Sequence, residues 1–227
     1  MYIGGFQKIS LLDYPQKICS IIFTVGCNFR CVYCYNRPLV LPEFYPKALS
    51  FSEIKDYLKR RKGLIDAVVF TGGEPSIQPD LIERMLELKQ LGFLIKLDTN
   101  GARPEIVEKC IKEEAVNYIA MDIKAPLEKY KFITQVDVDT NKILQSIKII
   151  KSFPAYEFRT TVFPGLSLED YEALFPLIKG AKCYFLQECR LQNTLQDCSS
   201  LVPFSSKEIN FLKEKASKFV DYCKVRG

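Results

Sequence analysis

Residues 18–34 read ICSIIFTVGCNFRCVYC, an apolar segment of strand length that runs into a loop with three cysteines. A strand that is buried on both faces of a sheet is typically apolar along its whole length, as this segment is. Similar segments recur downstream and alternate with segments in which apolar residues follow the helical period. The candidate strands are Ile18–Val25, Ala67–Thr71, Leu94–Asp98, Tyr118–Asp122, Glu157–Phe163 and Cys183–Glu188. The candidate helices are Ser52–Arg61, Asp80–Leu91, Pro104–Glu114, Thr140–Ser152, Leu168–Ile178 and Ser206–Lys224.

This alternation predicts an α/β fold with parallel strands and right-handed crossovers. Six β/α units are too few to close an eight-stranded barrel, so we expect a partial (β/α)6 TIM-like barrel, with a doubly wound sheet as the alternative. Because no flexible linker interrupts the chain, residues 1–227 are expected to form a single domain. The stretch Pro38–Pro46 is expected to be an ordered loop. Gly92 should end the helix Asp80–Leu91, and Ser205 with Glu208 should form a capping box at the last helix.

The composition excludes several classes of chemistry. The chain has no histidine, which rules out Ser-His-Asp and Cys-His nucleophile systems, HExxH zinc sites and His-ligated haem. Its nine cysteines are an odd number, so they cannot all pair, and no signal peptide or membrane-length apolar run is visible. We therefore expect a cytoplasmic protein with reduced thiols. The net charge of +5 is scattered apart from Lys59–Lys62 and the last helix, so neither nucleic acid nor a membrane is an expected partner.

Three cysteines on the first loop, Cys27, Cys31 and Cys34, are separated by three and then two residues. Thiolates at this spacing can face a common point and hold an iron–sulfur cluster, or zinc with a fourth ligand from elsewhere. With three local cysteines, one iron of a cluster would lack a protein ligand and could bind another molecule. Three buried thiols without a metal are the alternative. The other six cysteines match no cluster pattern and are expected to be single buried thiols: Cys19, Cys110, Cys183, Cys189, Cys198 and Cys223.

Polar motifs follow the next three strands. In the segment TGGEP, Gly72 and Gly73 would let the backbone approach a ligand, and Glu74 could accept hydrogen bonds from an ammonium group. The segments Asp98–Gly101 and Met121–Lys124 offer oxygen atoms for a ribose or a hard cation, although an Asx turn would also explain the first of them.

Arg159 lies inside an apolar strand, where an unpaired charge would be costly, so it should either form a salt bridge or bind a ligand. All of these motifs fall at or near the carboxyl ends of predicted strands, where α/β enzymes assemble their sites. Independent turns and buried thiols would have no reason to converge there.

The cysteine spacing, with Tyr33 before the third cysteine, resembles the signature of the radical S-adenosylmethionine (SAM) superfamily. Gly72-Gly73-Glu74 resembles the methionine-binding motif of that superfamily. The segments GFQKISLLDYP, GCNFRCVYCYN, FTGGEP, LDTNG, MDIKAP and FRTTVFPG together resemble activating enzymes of glycyl radical enzymes. Among these, the activating enzymes of anaerobic ribonucleoside-triphosphate reductase are the most similar, and the resemblance covers nearly the whole chain.

The resemblance implies that the chain reductively cleaves SAM to a 5′-deoxyadenosyl radical, which removes a hydrogen atom from a glycine Cα of a partner. It implies a glycyl radical enzyme as partner and a flavodoxin or ferredoxin as electron donor. The implied 4Fe–4S cluster ligands are Cys27, Cys31 and Cys34. The implied SAM-binding residues are Tyr33, Gly72, Gly73, Glu74, Asp98, Asp122, Lys124, Arg159 and Gln187. The implied ligands of a monovalent cation are Asp98, Thr99, Asp122 and the carbonyl of Ile123.

The chain departs from that family at three positions. Many activating enzymes have histidine after the third cysteine, where this chain has Tyr35, and histidine near the end of strand 6, where Gln187 lies. Activating enzymes contact the substrate protein through a DGPG-like motif, and this chain has DYPQ there, beginning at Asp13. No cysteine lies between Tyr35 and Phe70, which excludes the ferredoxin-like insert that some activating enzymes carry in that interval. One alternative is a radical enzyme that acts on a small molecule, as 7-carboxy-7-deazaguanine synthase does, or on RNA. Another is a module stabilised by zinc or a cluster, without catalysis.

Overall fold

The computed structural model describes residues 1–226; Gly227, the last residue of the predicted single domain, lies outside the described residues. The chain divides into two compact units, so the single domain stays a prediction. The first unit comprises Met1–Asn28, Pro38–Thr99 and Glu105–Ile119. The second comprises Phe29–Arg37, Asn100–Pro104 and the residues from Ala120 onward.

Strands and helices alternate as expected, and the predicted α/β fold with mostly parallel strands is confirmed. The strands are β1 (Ile3–Ser10), β2 (Cys19–Thr24), β3 (Ala67–Gly72), β4 (Leu94–Thr99), β5 (Tyr118–Asp122), β6 (Tyr156–Val162), β7 (Tyr184–Glu188) and β8 (Cys223–Arg226). The helices are α1 (Arg37–Val40), α2 (Phe51–Arg60), α3 (Leu81–Gln90), α4 (Pro104–Lys112), α5 (Tyr130–Thr134), α6 (Thr140–Ser152), α7 (Leu168–Leu174) and α8 (Ser206–Ala216). Short 3-10 helices occupy Pro42–Phe44, Pro75–Ile77, Leu127–Lys129 and Phe175–Ile178.

In the first unit, β2, β3 and β4 are parallel neighbours, and β1 pairs antiparallel with β2. Sequence reasoning missed β1 because its two glycines and its exposed polar residues give no buried apolar face. Tyr14, in the turn between β1 and β2, packs on the side chains that alternate along one face of β2 and β3. The register places Thr24 opposite Gly72, so the loops after β2 and β3 begin side by side.

In the second unit, β6, β7 and β8 are parallel neighbours. The helix predicted over Ser206–Lys224 begins at Ser206 as expected, but its predicted end is wrong, because α8 ends at Ala216 and the chain returns as β8. The returning backbone satisfies groups along the edge of β7: Tyr184 N donates to Tyr222 O at 2.9 Å. Pairing of this kind leaves less of the edge strand open, and it outweighs the helical pattern of the sequence.

Several local features agree with the sequence. Ser205 and Glu208 form the predicted capping box, and Gly92 ends α3 with a φ of +94°, which an L side chain rarely adopts. The stretch Pro38–Pro46 is ordered but includes most of α1 and a 3-10 turn, not loop alone. Within residues 1–226, every helix is too short or too polar to span a bilayer.

Candidate active site

In the first unit, the turns that follow β2 and β3 pack backbone against backbone. Gly26, directly before Cys27, has a φ of +93°, and its carbonyl accepts a hydrogen bond from Glu74 N at 2.8 Å. A Cβ on Gly73 would lie 2.0 Å from that same carbonyl oxygen. The sequence suggested that these glycines let the backbone approach a ligand; in the structure Gly73 lets one site loop approach the other.

Glu74 is the buried carboxylate of this pair of turns, with 1% of its surface exposed. Its Oε1 accepts hydrogen bonds from Ser76 N at 3.0 Å and from Thr99 Oγ1 at 2.8 Å. The ends of β3 and β4 are therefore joined through one carboxylate oxygen, as expected if both strands serve one site. The roles of Glu74 toward the SAM amino group and of Thr99 toward a cation stay predictions.

Lys96 is a functional candidate that sequence reasoning missed. It lies in β4 with 3% of its surface exposed, and its Nζ is 3.3 Å from Asp98 Oδ1. The same Nζ donates to Asp13 O at 2.6 Å, whereas the Asp13 carboxylate accepts a hydrogen bond from Ser10 Oγ. A lysine within an apolar run is the same signal that singled out Arg159, and it would have identified this residue. Asp13 and Asp98, both predicted site residues, are thus connected through one ammonium group.

In the second unit, the loop with Cys31 and Cys34 is held by hydrogen bonds to two other segments. Val32 N donates to Ile133 O at 3.0 Å, near the end of α5. Residues 194–198, which we call the strap, also form backbone hydrogen bonds to this loop. Leu195 N donates to Cys34 O at 2.8 Å, and Gln196 N donates to Val32 O at 3.1 Å. The strap has no motif that sequence reasoning could recognise, because it acts through its backbone.

Cys31 and Cys34 are free thiols. Burial raises the pKa of Cys31 to about 11, although the Lys124 ammonium group acts to lower it, and burial also raises the pKa of Cys34. Thiols beside an ammonium group suit iron, which binds the thiolate form and displaces the proton. In the described part of the chain no three Cys, Asp or Glu side chains are arranged to hold a metal ion, so the cluster ligands stay a prediction. Cys27, the third proposed ligand, lies in the first unit.

Tyr33 and Tyr35, which flank Cys34, have opposite environments. The Tyr33 ring is buried 5.3 Å from the Phe163 ring, and its hydroxyl has no hydrogen-bond partner among the residues that the structure describes. A buried hydroxyl without a partner fits a bound ligand that would complete its hydrogen bond. Tyr35 is 54% exposed, with the Arg190 guanidinium over its ring, on the wall of a cavity of about 520 Å3.

Asp122, Lys124 and Arg159 form a compact ionic cluster in the second unit. Arg159 Nε donates to Asp122 Oδ1 at 2.7 Å, and Lys124 Nζ donates to Asp122 Oδ2 at 3.0 Å. Burial acts to raise the pKa of Asp122, but the charges of Arg159 and Lys124 outweigh it and hold that pKa below its usual value. Burial acts to lower the pKa of Lys124, but Asp122 raises it well above its usual value. Of the two alternatives expected for Arg159, a salt bridge or a bound ligand, the salt bridge is present.

Two hydrogen bonds in the second unit involve segments that were proposed for a cation. The carbonyl of Ile123, proposed for a cation, accepts a hydrogen bond from Thr160 Oγ1 at 2.9 Å. Asn100 Oδ1 accepts a hydrogen bond from Ala102 N at 3.0 Å, so part of Asp98–Gly101 is the Asx turn offered as its simpler explanation. A cation at these positions stays a prediction. Gln187, near the end of β7, lies opposite Thr161 on one side and Arg226 on the other.

Comparison with known proteins identifies the superfamily of this chain. The family model for the radical SAM superfamily matches residues 21–178. MJ1227 of Methanocaldococcus jannaschii, a protein named for a proposed role as a glycyl-radical enzyme activating enzyme, is 32% identical over 99% of this chain and 95% of its own length. The pyruvate formate-lyase-activating enzyme of Clostridium pasteurianum is 32% identical over 58% of this chain and 56% of its own length. A GTP 3′,8-cyclase of Alkaliphilus oremlandii is 30% identical over 59% of this chain and 43% of its own length.

Solved structures show the same fold. TYW1 with a lysine-pyruvate adduct superimposes with a TM-score of 0.64 and 17% identity, over 90% of this chain and 74% of that one. SuiB of Streptococcus suis bound to SAM superimposes with a TM-score of 0.66 and 14% identity, over 91% of this chain and 50% of that one. At these identities the likeness establishes the fold alone.

Proposed function

This chain belongs to the radical SAM superfamily, and we propose that it activates a glycyl radical enzyme by removing a hydrogen atom from a glycine Cα of that partner. We propose an anaerobic ribonucleoside-triphosphate reductase as the specific partner. The observation that carries the proposal is the match to MJ1227, which extends over 99% of this chain and 95% of that relative. The resemblance of the segments GFQKISLLDYP and LDTNG to activating enzymes supports it.

Membership of this superfamily implies a 4Fe–4S cluster and SAM as cofactors. When bound, they supply a one-electron cleavage of SAM that yields a 5′-deoxyadenosyl radical. We propose that Cys27, Cys31 and Cys34 hold the cluster. The strap and α5 would keep the Cys31–Cys34 loop in place, since their backbone groups bond Cys34 O and Val32 N.

The remaining site residues would bind and orient SAM. Glu74, fixed by Ser76 and Thr99, would receive the amino group of the methionine part. Lys124 and Arg159 both pair with the carboxylate of Asp122. They would also bind the carboxylate group of the methionine part of SAM. Tyr33 would lie against the adenine.

The composition suits this chemistry. Removal of a hydrogen atom by a radical needs no general acid or base, so a site without histidine loses nothing. The protein has to orient the reacting groups and keep water away from them. The reducing electron would come from a flavodoxin or ferredoxin, in the cytoplasm.

The direct test is formation of a glycyl radical. The protein, with its cluster reconstituted without oxygen, is mixed with dithionite, SAM and the anaerobic reductase, and the glycyl radical is measured by electron paramagnetic resonance. We expect a signal with wild type and with Cys183→Ala, and none with Cys31→Ala, which should also bind less iron. A wild-type protein that cleaves SAM but gives no glycyl radical with this or any other glycyl radical enzyme would refute the proposal.

A small-molecule substrate is the second candidate, and the similarity to GTP 3′,8-cyclase favours it. That match covers 59% of this chain and 43% of the cyclase, so most of the cyclase has no counterpart here. Many turnovers on a purine nucleotide, without any protein radical, would support this candidate over the first.

A further inference from the structure

Charged side chains of alternating sign run from Lys124 to the last strand of the second unit. Beyond the cluster of Lys124, Asp122 and Arg159, Arg159 Nη1 lies 4.0 Å from Glu157 Oε1. Arg226, in β8, then bonds Glu157 with both ends of its guanidinium, at 2.9 Å to Oε1 and 3.1 Å to Oε2. Two guanidinium groups therefore approach the same oxygen of Glu157.

Glu157 depends on these partners, because its side chain is only 1% exposed and a buried carboxylate without a counter-charge is strongly unfavourable. Two-pronged pairing with arginine fixes orientation as well as charge. Arg226 is itself held in place, since its guanidinium lies 3.2 Å from the centre of the Phe185 ring. Arg226 therefore helps to fix the position of the Glu157 carboxylate.

We propose that Glu157, anchored by Arg226, is a positioning residue for Arg159, and that β8 is therefore part of the SAM site. The inference rests on the role proposed above for Arg159, as a group that receives the carboxylate of SAM. Together the five side chains carry three positive and two negative charges, which favours an anionic group at the Lys124 end. Without Arg226, Glu157 would draw Arg159 toward itself, and the guanidinium would turn away from Asp122.

The test compares Arg226→Gln with Lys224→Gln, which removes the same charge from an exposed position of the same strand. Calorimetry on the cluster-reconstituted proteins measures the affinity for SAM and for 5′-methylthioadenosine, which lacks the carboxylate, the amino group and the sulfonium charge of SAM. We expect Arg226→Gln to weaken SAM binding by about 3- to 10-fold, in the lower part of the range for coupled neighbouring residues, and to leave methylthioadenosine binding unchanged. Lys224→Gln should change neither affinity.

A double variant separates positioning from a general loss of structure. If Arg226 acts through Arg159, then Arg226→Gln should weaken SAM binding no further in a chain that already carries Arg159→Gln. Arg226→Lys keeps the positive charge but loses the two-pronged hydrogen bonding to Glu157. Its affinity for SAM should therefore lie between those of wild type and Arg226→Gln. Melting temperatures of all variants report folding.

Equal losses for both ligands, the same loss in Lys224→Gln, or additive losses in the double variant would overturn the inference. These measurements do not depend on a partner protein. A SAM-selective loss in Arg226→Gln together with no glycyl radical on any partner would leave β8 in the SAM site and refute only the proposed activation. If the reconstituted wild type bound no SAM, the role of β8 in the SAM site and the proposed activation would both be refuted.

Discussion

Gly73→Ala should strongly destabilise the first unit, although it adds a single methyl group. The added Cβ would lie 2.0 Å from Gly26 O and 2.7 Å from Gly26 C, whereas real Cβ contacts essentially never fall below 3.0 Å. One of the two turns must therefore move by about 1 Å. Both obstacles are backbone atoms, so no side chain can rotate away.

The displacement would strain two hydrogen bonds between backbone groups. Gly73 N donates to Thr24 O at 2.9 Å, and Glu74 N donates to Gly26 O at 2.8 Å. Overpacking typically costs about 1–3 kcal/mol, and an obstacle made of backbone places this variant near about 3 kcal/mol. In a chain of this length that corresponds to a fall in melting temperature of about 6–12 °C. Because Glu74 moves with the turn, SAM affinity should fall as well.

Gly5→Ala is the matched control, since its new Cβ would meet only Phe23 side-chain atoms, the nearest at 3.3 Å, which can shift. Thermal and urea denaturation of both variants measure the difference, and calorimetry measures SAM binding. If Gly73→Ala melts within about 1 °C of Gly5→Ala, the close packing of the two turns does not have the energetic importance inferred here.

Two further changes test single groups. Tyr33→Phe removes the buried hydroxyl that lacks a partner, so the ligand-free protein should keep its stability to within about 0.5 kcal/mol; its calorimetric SAM affinity should fall, and an unchanged affinity would argue against adenine beside Tyr33. Glu87→Gln removes a carboxylate whose hydrogen bonds from Lys55 and Arg84 hold its pKa below the ordinary 4.5. The stability from that carboxylate is complete above pH 4.5 and is lost as pH falls through the lowered pKa. Urea denaturation should therefore show a loss of about 0.5–1 kcal/mol at pH 7 that shrinks toward pH 3, whereas the more exposed control Glu83→Gln changes little; a loss independent of pH would contradict this.

The sequence predicted where the candidate site residues lie along the strands better than it predicted their contacts. Motifs at the ends of parallel strands could be located because apolar runs mark those strands, and Arg159 stood out because a charge in such a run needs a partner. The partner could not be named. Asp122 is distant from Arg159 in the chain and comes close to it only when the strands that carry them fold.

Other features gave no local signal. The motif Gly72-Gly73 has the same letters whether a ligand or another backbone lies against it, and the structure places Gly26 beside Gly73. Helical periodicity continued past Ala216, but pairing with β7 turned the last residues into β8. Arg226 therefore looked like a charge near the chain end, although it meets a carboxylate 69 residues earlier.

The strap also sets an order of events during synthesis. Cys31 and Cys34 leave the ribosome early, but Leu195 and Gln196, whose amides bond their loop, follow some 160 residues later. At translation rates of about 5–20 residues per second, the cysteine loop of a nascent chain waits roughly 8–32 s for these partners. Iron delivered within that interval would meet these proposed ligands on a loop that has its hydrogen bond to α5 at most and not yet those of the strap, so we expect cluster assembly to follow synthesis of residues 194–198.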